Sequence, residues 1–81
     1  MTEYIHADSK WGDFEVFGED GTLESAALKL LKERVEDGFW YDDEDQAVAE
    51  DIAKYGSGEK AWKFLESRRD HEYEWVEARS S

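Results

Sequence analysis

Eighty-one residues leave room for one domain with a thin core, because chains of this size bury only about 60 % of the surface they expose when unfolded. A net charge of −12, from 22 acids against ten Lys and Arg, argues against binding to nucleic acid or anionic membranes unless the cations gather on one face. The lack of cysteine excludes disulfides and thiolate metal sites, and an aromatic share of 15 % argues against a disordered acidic tail.

In chain order, Glu3 to Ala7 and Asp13 to Phe17 mix β-branched or aromatic residues with polar ones. Asp8, Ser9, Lys10 and Gly12 lie between them, which is a hairpin signal. Alternation puts Phe14 and Val16 on one face of the second strand and Glu15 and Phe17 on the other, as expected of a sheet covered on one side. Gly18 to Gly21 breaks this pattern. Thr22 then caps a helix whose apolar positions Leu23, Ala27, Leu30, Leu31 and Val35 recur near every 3.6 residues, and Gly38 ends it.

A second helix is expected to begin after Asp42, to carry Asp43, Glu44 and Asp45 in its first turn and to run through Ala47, Val48, Ile52 and Ala53 to a stop at Gly56, with Lys54 near its C-terminus. Ser57 or Gly58 starts a third, with Ala61, Trp62, Phe64 and Leu65 as its apolar stripe and Arg68 and Arg69 at its C-terminal end. The stretch from His71 to Glu77, which alternates with period two in its first five residues, reads as a closing strand. The order ββαααβ predicts an α+β fold in which a small three-stranded antiparallel sheet packs one face against three helices. Neither a boundary nor a repeat is visible, so the whole chain is read as one compact acidic domain.

No basic-then-apolar leader opens the sequence, and no apolar run exceeds three residues, whereas about 20 are needed to span a bilayer. The expectation is a cytoplasmic protein with no membrane association. Charge is distributed unevenly: residues 36–51, EDGFWYDDEDQAVAED, hold eight carboxylates and no basic residue, and carry −8 of the total. Caps and first-turn acids explain some of them. The excess around one helix junction is self-repelling and suits a surface that a basic partner neutralises. Phe39, Trp40 and Tyr41 lie inside this segment, and three successive rings cannot all point inward. Exposed aromatics beside acids resemble an interface hot spot, where Trp and Tyr are over-represented. The candidate contact residues are therefore Trp40, Tyr41, Asp42, Asp43, Glu44, Asp45, Glu50 and Asp51.

Competing chemistries have weaker support. The calcium-loop pattern is not matched, since Ala47 follows Asp43 and Asp45 without a glycine at the turn, and neither metal nor cofactor is expected. His6 and His71 fall on two predicted strands, with Asp8 near one and Asp70 and Glu72 near the other, and a His–carboxylate pair is the minimum for a general base. The chain has no cysteine nucleophile, phosphate loop or G-x-S-x-G elbow, so catalysis through His6 or His71 ranks below binding. Lys29, Lys32 and Arg34, and likewise Lys60, Lys63, Arg68 and Arg69, are interspersed with glutamates, which makes mixed-sign helix faces rather than a nucleic-acid surface. Conversely, a compact acidic body can imitate a duplex, which carries one negative charge per roughly 1.7 Å of axis, and so occupy a DNA-binding protein. Homodimerisation is a further option, because a thin core and 12 aromatics leave apolar surface or a strand edge to cover.

The combination of SKWGDFEVF, the FWYDDED junction and AWKFLESRRDHEYEWV resembles small acidic accessory proteins encoded by tailed bacteriophages of actinobacteria. The resemblance implies a protein made inside an infected cell that acts by binding a host or viral protein, and it carries over no catalytic residue. The expected function is thus a non-enzymatic protein-binding module for a partner with a basic surface, with a DNA-mimicking inhibitor as the alternative.

Overall fold

A computed structural model describes residues 1–38, 42–68, 70–71 and 74–81. The elements are β1 (Glu3–Ser9), β2 (Gly12–Phe17), α1 (Leu23–Glu36), α2 (Asp43–Tyr55), α3 (Gly58–Ser67), β3 (Asp70–His71) and β4 (Glu74–Ser80). The fold is α+β: β1 lies between β2 and β4 in an antiparallel sheet, and the two-residue β3 borders the start of β4. Among the described residues no helix is long and apolar enough to cross a membrane.

The hairpin forms as its composition predicts but closes later, at Ser9↔Gly12, leaving Lys10 and Trp11 as a two-residue loop. The Ser9 hydroxyl donates to the Gly12 carbonyl at 2.6 Å and accepts from Trp11 N–H at 3.2 Å, and Gly12 takes the positive φ of +118° that the tight turn requires. The closing strand differs more. It runs to Ser80 because β1 offers a partner to each of its residues, from Ser9↔Glu74 to Glu3↔Ser80, and this ladder outweighs the loss of period-two alternation after Trp75. Its predicted residues Glu72 and Tyr73 lie outside the described set.

One sheet face meets the helices. Ile5, Ala7, Val16 and Val76 are buried there, with Phe14 packed beside them. α1 supplies Ala26, Ala27, Leu30 and Leu31, and α3 supplies Ala61, Phe64 and Leu65. Among the described residues only Ile5, Leu30 and Leu31 are large side chains sealed completely, so the layers must approach closely to leave no voids. Gly58 shows how closely: a Cβ at this position would lie 2.5 Å from the Glu24 carbonyl oxygen, which presses the start of α3 against the start of α1.

A buried ion pair fastens the sheet to α1. Glu74, 6 % exposed, is the charged residue of the described core. Its two carboxylate oxygens accept from Arg34 Nε, at 3.1 Å, and from Arg34 Nη2. The guanidinium carbon also lies 5.3 Å from the centre of the Phe14 ring. Each helix starts on a side-chain cap: Thr22 accepts from Ser25 N–H, Asp42 from Glu44 N–H and Ser57 from Lys60 N–H.

Two stability experiments follow from these contacts. Glu74→Ala leaves a desolvated guanidinium and is expected to cost about 3–5 kcal/mol, whereas Arg34→Met with Glu74→Leu recovers most of that loss; thermal unfolding followed by circular dichroism distinguishes them. Asp20 accepts from the Thr22 amide and hydroxyl at 3.1 and 2.7 Å. Hydrogen bonding, from Ser25 first and then Thr22, lowers its pKa from 3.8 to about 2. Because the folded-state value is the lower one, its stabilisation is complete above about pH 4 and lost as pH falls toward 2. Asp20→Asn is expected to remove that part of the acid-unfolding profile, and a carboxyl NMR titration of the parent reads the pKa directly.

Candidate protein-binding site

Helix α2 is the outermost element: it packs on α1 and α3, and those two cover the sheet. The acids predicted to form one contact surface divide here into two groups. Asp42 is occupied as the N-cap, accepting from Glu44 N–H at 2.8 Å in an extended backbone conformation. Asp45 turns toward the end of α3 and accepts from Arg68 Nη2 at 2.6 Å. The Arg68 guanidinium lies 4.1 Å from the centre of the Phe64 ring, and its pKa is raised by the Asp45 hydrogen bond first, with the Asp42 and Glu44 charges adding to it. Glu50 accepts from Gln46 Nε2 at 3.0 Å, and the same amide reaches the Val35 carbonyl at 3.4 Å, clamping α2 to α1. These three acids serve the fold.

Asp43, Glu44 and Asp51 instead face outward and are exposed. Glu44, Val48, Asp51 and Tyr55 follow one another at helical spacings of four, three and four residues and so form one stripe. Val48 is 42 % exposed and Tyr55 75 % exposed. Ala47 is exposed as well, and Ala49 is the buried residue of this helix, with Ile52 and Ala53 half-buried beside it. The reason is rotational phase. The Arg68–Asp45 bond and the Gln46 clamp fix the inward side of α2 on Asp45, Gln46 and Ala49, which turns Val48 toward solvent.

Sequence reading missed Val48 and Tyr55 as surface residues. The available signal was their i, i+7 spacing together with Glu44 and Asp51, passed over because attention went to the acids and to the three rings at 39–41. Trp40 and Tyr41, and Phe39 before them, lie outside the described residues.

The predicted closing strand does pair with β1 through Glu74–Ser80, but His71 falls in β3, and β4 lies between it and the strand of His6. His6 meets Asp13 rather than Asp8, with Nε2 3.8 Å from the Asp13 carboxylate. Asp8 pairs directly across the hairpin with Asp13, and a hydrogen bond to the Asp13 side chain raises its pKa. A cleft of about 670 Å³ is lined by Trp11, Phe14, Glu33, Arg34 and Asp37 among others, and Arg34 is already engaged by Glu74 and Asp37. Among the described residues no group of three His, Asp or Glu side chains is arranged to hold a metal ion. No family model, curated protein or solved structure matches the chain.

The two groups of acids differ in what their removal costs. Asp42→Ala and Asp45→Ala are each expected to destabilise by about 1 kcal/mol, through loss of a cap and of a partly screened ion pair. Asp43→Ala and Asp51→Ala are expected to stay within about 0.5 kcal/mol of the parent, and chemical denaturation measures all four.

Proposed function

We propose that this chain is a non-enzymatic protein-binding module that docks a basic partner protein on the outward face of α2. The observation that carries this reading is the stripe of Glu44, Val48, Asp51 and Tyr55, flanked by Asp43. Three exposed carboxylates there have no part in capping or in the described ion pairs, and at the solvent surface Val48 stands between Glu44 and Asp51 while Tyr55 follows Asp51. Long-range attraction by the carboxylates raises the rate of encounter, and desolvation of Val48 and the Tyr55 ring supplies the short-range affinity. Lys54 is the exception to the anionic character of this side, with its ammonium 5.4 Å from the Tyr55 ring. The resemblance to phage accessory proteins agrees with such a role and supplies its setting, the cytoplasm of an infected cell.

The test is affinity capture from host lysate with the parent and with D43K/E44K/D51K, which spares the Asp45–Arg68 bond. The reversal is expected to reduce recovery of the specific partner at least tenfold while the circular dichroism spectrum stays unchanged. Undiminished recovery of every captured protein would refute the assignment. Capture confined to DNA-binding proteins, with competition by added duplex, would make the partner class that of the DNA-mimic alternative.

A further inference from the structure

The side of the sheet turned away from the helices carries a second surface, built by strand register rather than by helical periodicity. Alternation from the buried Ile5 and Ala7 places Tyr4, His6 and Asp8 on this opposite side of β1. Each stands between two cross-strand neighbours, which gives three rows. The first is aromatic: Phe17 and Tyr4 stack with ring centres 4.8 Å apart, and Arg79 flanks Tyr4. The second sets His6 between Glu15 and Glu77. The third sets Asp8 between Asp13 and Trp75.

Two features separate this face from an ordinary solvated sheet surface. Phe17 and Trp75, 44 % and 43 % exposed, place large apolar area at its opposite ends. Between them the rows hold four acids, and the arginine on the same face is bonded to one of these, Glu77. Asp8 and Asp13 are like charges placed directly opposite, an arrangement that destabilises a sheet. Their hydrogen bond, which raises the Asp8 pKa, is how the isolated protein accommodates them.

We infer that this sheet face binds a basic polypeptide segment presenting Lys or Arg at alternate positions. Charge complementarity selects the occupant: an anionic surface on a chain of net charge −12 repels a second copy of itself and attracts cations. The spacing selects its conformation. Alternate side chains of an extended chain project to one side about 6.8 Å apart, the same step that separates Asp13 from Glu15 along β2. Cationic heads then meet Asp13 and Glu15 while a terminal Lys or Arg lies over the Phe17–Tyr4 stack. Binding relieves the Asp8–Asp13 repulsion, so the pair costs stability in the free protein and strengthens the complex. This surface is distinct from the α2 stripe, from which the helical layer and the sheet separate it.

The probe is a seven-residue peptide alternating Lys and Thr, added to isotopically labelled protein at low salt and followed by amide NMR. Shifts are expected in β1, β2 and β4, with weaker binding of a peptide of equal composition whose lysines are contiguous. D13K/E15K is expected to weaken the alternating peptide at least tenfold, and its melting temperature, at or above that of the parent because the Asp8–Asp13 repulsion is gone, verifies folding. D13N/E15Q, which preserves side-chain size, is expected to weaken it at least threefold. D43N/E44Q/D51N, which removes three charges from α2 where D13N/E15Q removes two from the sheet, is expected to weaken this binding less than D13N/E15Q does. Shifts centred on α2, equal or greater weakening by the α2 neutralisation, unchanged affinity of both sheet variants, or dimerisation through this face without peptide each overturn the inference, and none of them decides the outcome of the lysate experiment.

Discussion

The Arg34–Glu74 pair sits where the sheet and its helical cover would otherwise separate. The apolar core is centred on Ile5, Leu30 and Leu31, and toward the hairpin loop the inward-facing row of the sheet offers only Ser9 and Gly12 beside Glu74. An apolar side chain from α1 would find little to pack against there. Arg34 spans the gap, holding both oxygens of Glu74 and placing its guanidinium near the Phe14 ring, so one residue ties α1 to β4 and to β2. Removing two charges from water is costly, and a two-point hydrogen-bonded geometry is the arrangement that offsets it. Arg34 also lies in the last turn of α1, where the helix dipole favours a cation. The pair thus fixes how the layers dock more than it adds to net stability.

With the layers fixed, the surface divides by sign and by task. Acids with structural duties lie where a backbone amide or an arginine reaches them, as Asp20, Asp42 and Asp45 do. Those of the α2 stripe and the open sheet face have few such partners, and their mutual repulsion is a standing cost. Both sets occur beside exposed aromatic or aliphatic groups, Val48 and Tyr55 on one side and Phe17 and Trp75 on the other. Charge alone would keep the protein soluble; charge interleaved with apolar surface forms a contact whose energy is realised only when water leaves.

Much of this architecture was readable from local signals. Thr22, Asp42 and Ser57 mark the three helix starts because each offers an oxygen to an otherwise unbonded amide, and Gly38 and Gly56 mark two ends. The hairpin was readable because its strands share a short polar turn. What was not readable depended on partners distant in sequence. The extent of β4 is set by β1, the rotation of α2 by Arg68 and by the Val35 carbonyl, and the buried state of Glu74 by Arg34. A glutamate in a strand gives no local sign that it will be enclosed, and an alanine-rich helix has too weak an apolar face to announce which side turns inward. Of the acids read as one surface, Asp42 announced its capping role locally, whereas the partners of Asp45 and Glu50, Arg68 and the Gln46 amide, could be seen only once the helices were placed.

The central strand pairs with elements from both ends of the chain, β2 immediately after it and β4 after all three helices. During synthesis the hairpin emerges early with its core edge open, and a lone hairpin is marginal in water. The helices follow, yet the glutamate that anchors Arg34 leaves the ribosome after every one of them. Folding therefore awaits a contact of long loop-closure length, which slows the transition relative to a helical bundle of equal size. Until that contact forms, the unpaired edge of β1 is guarded chiefly by the repulsion among nascent chains that their surplus of carboxylates provides.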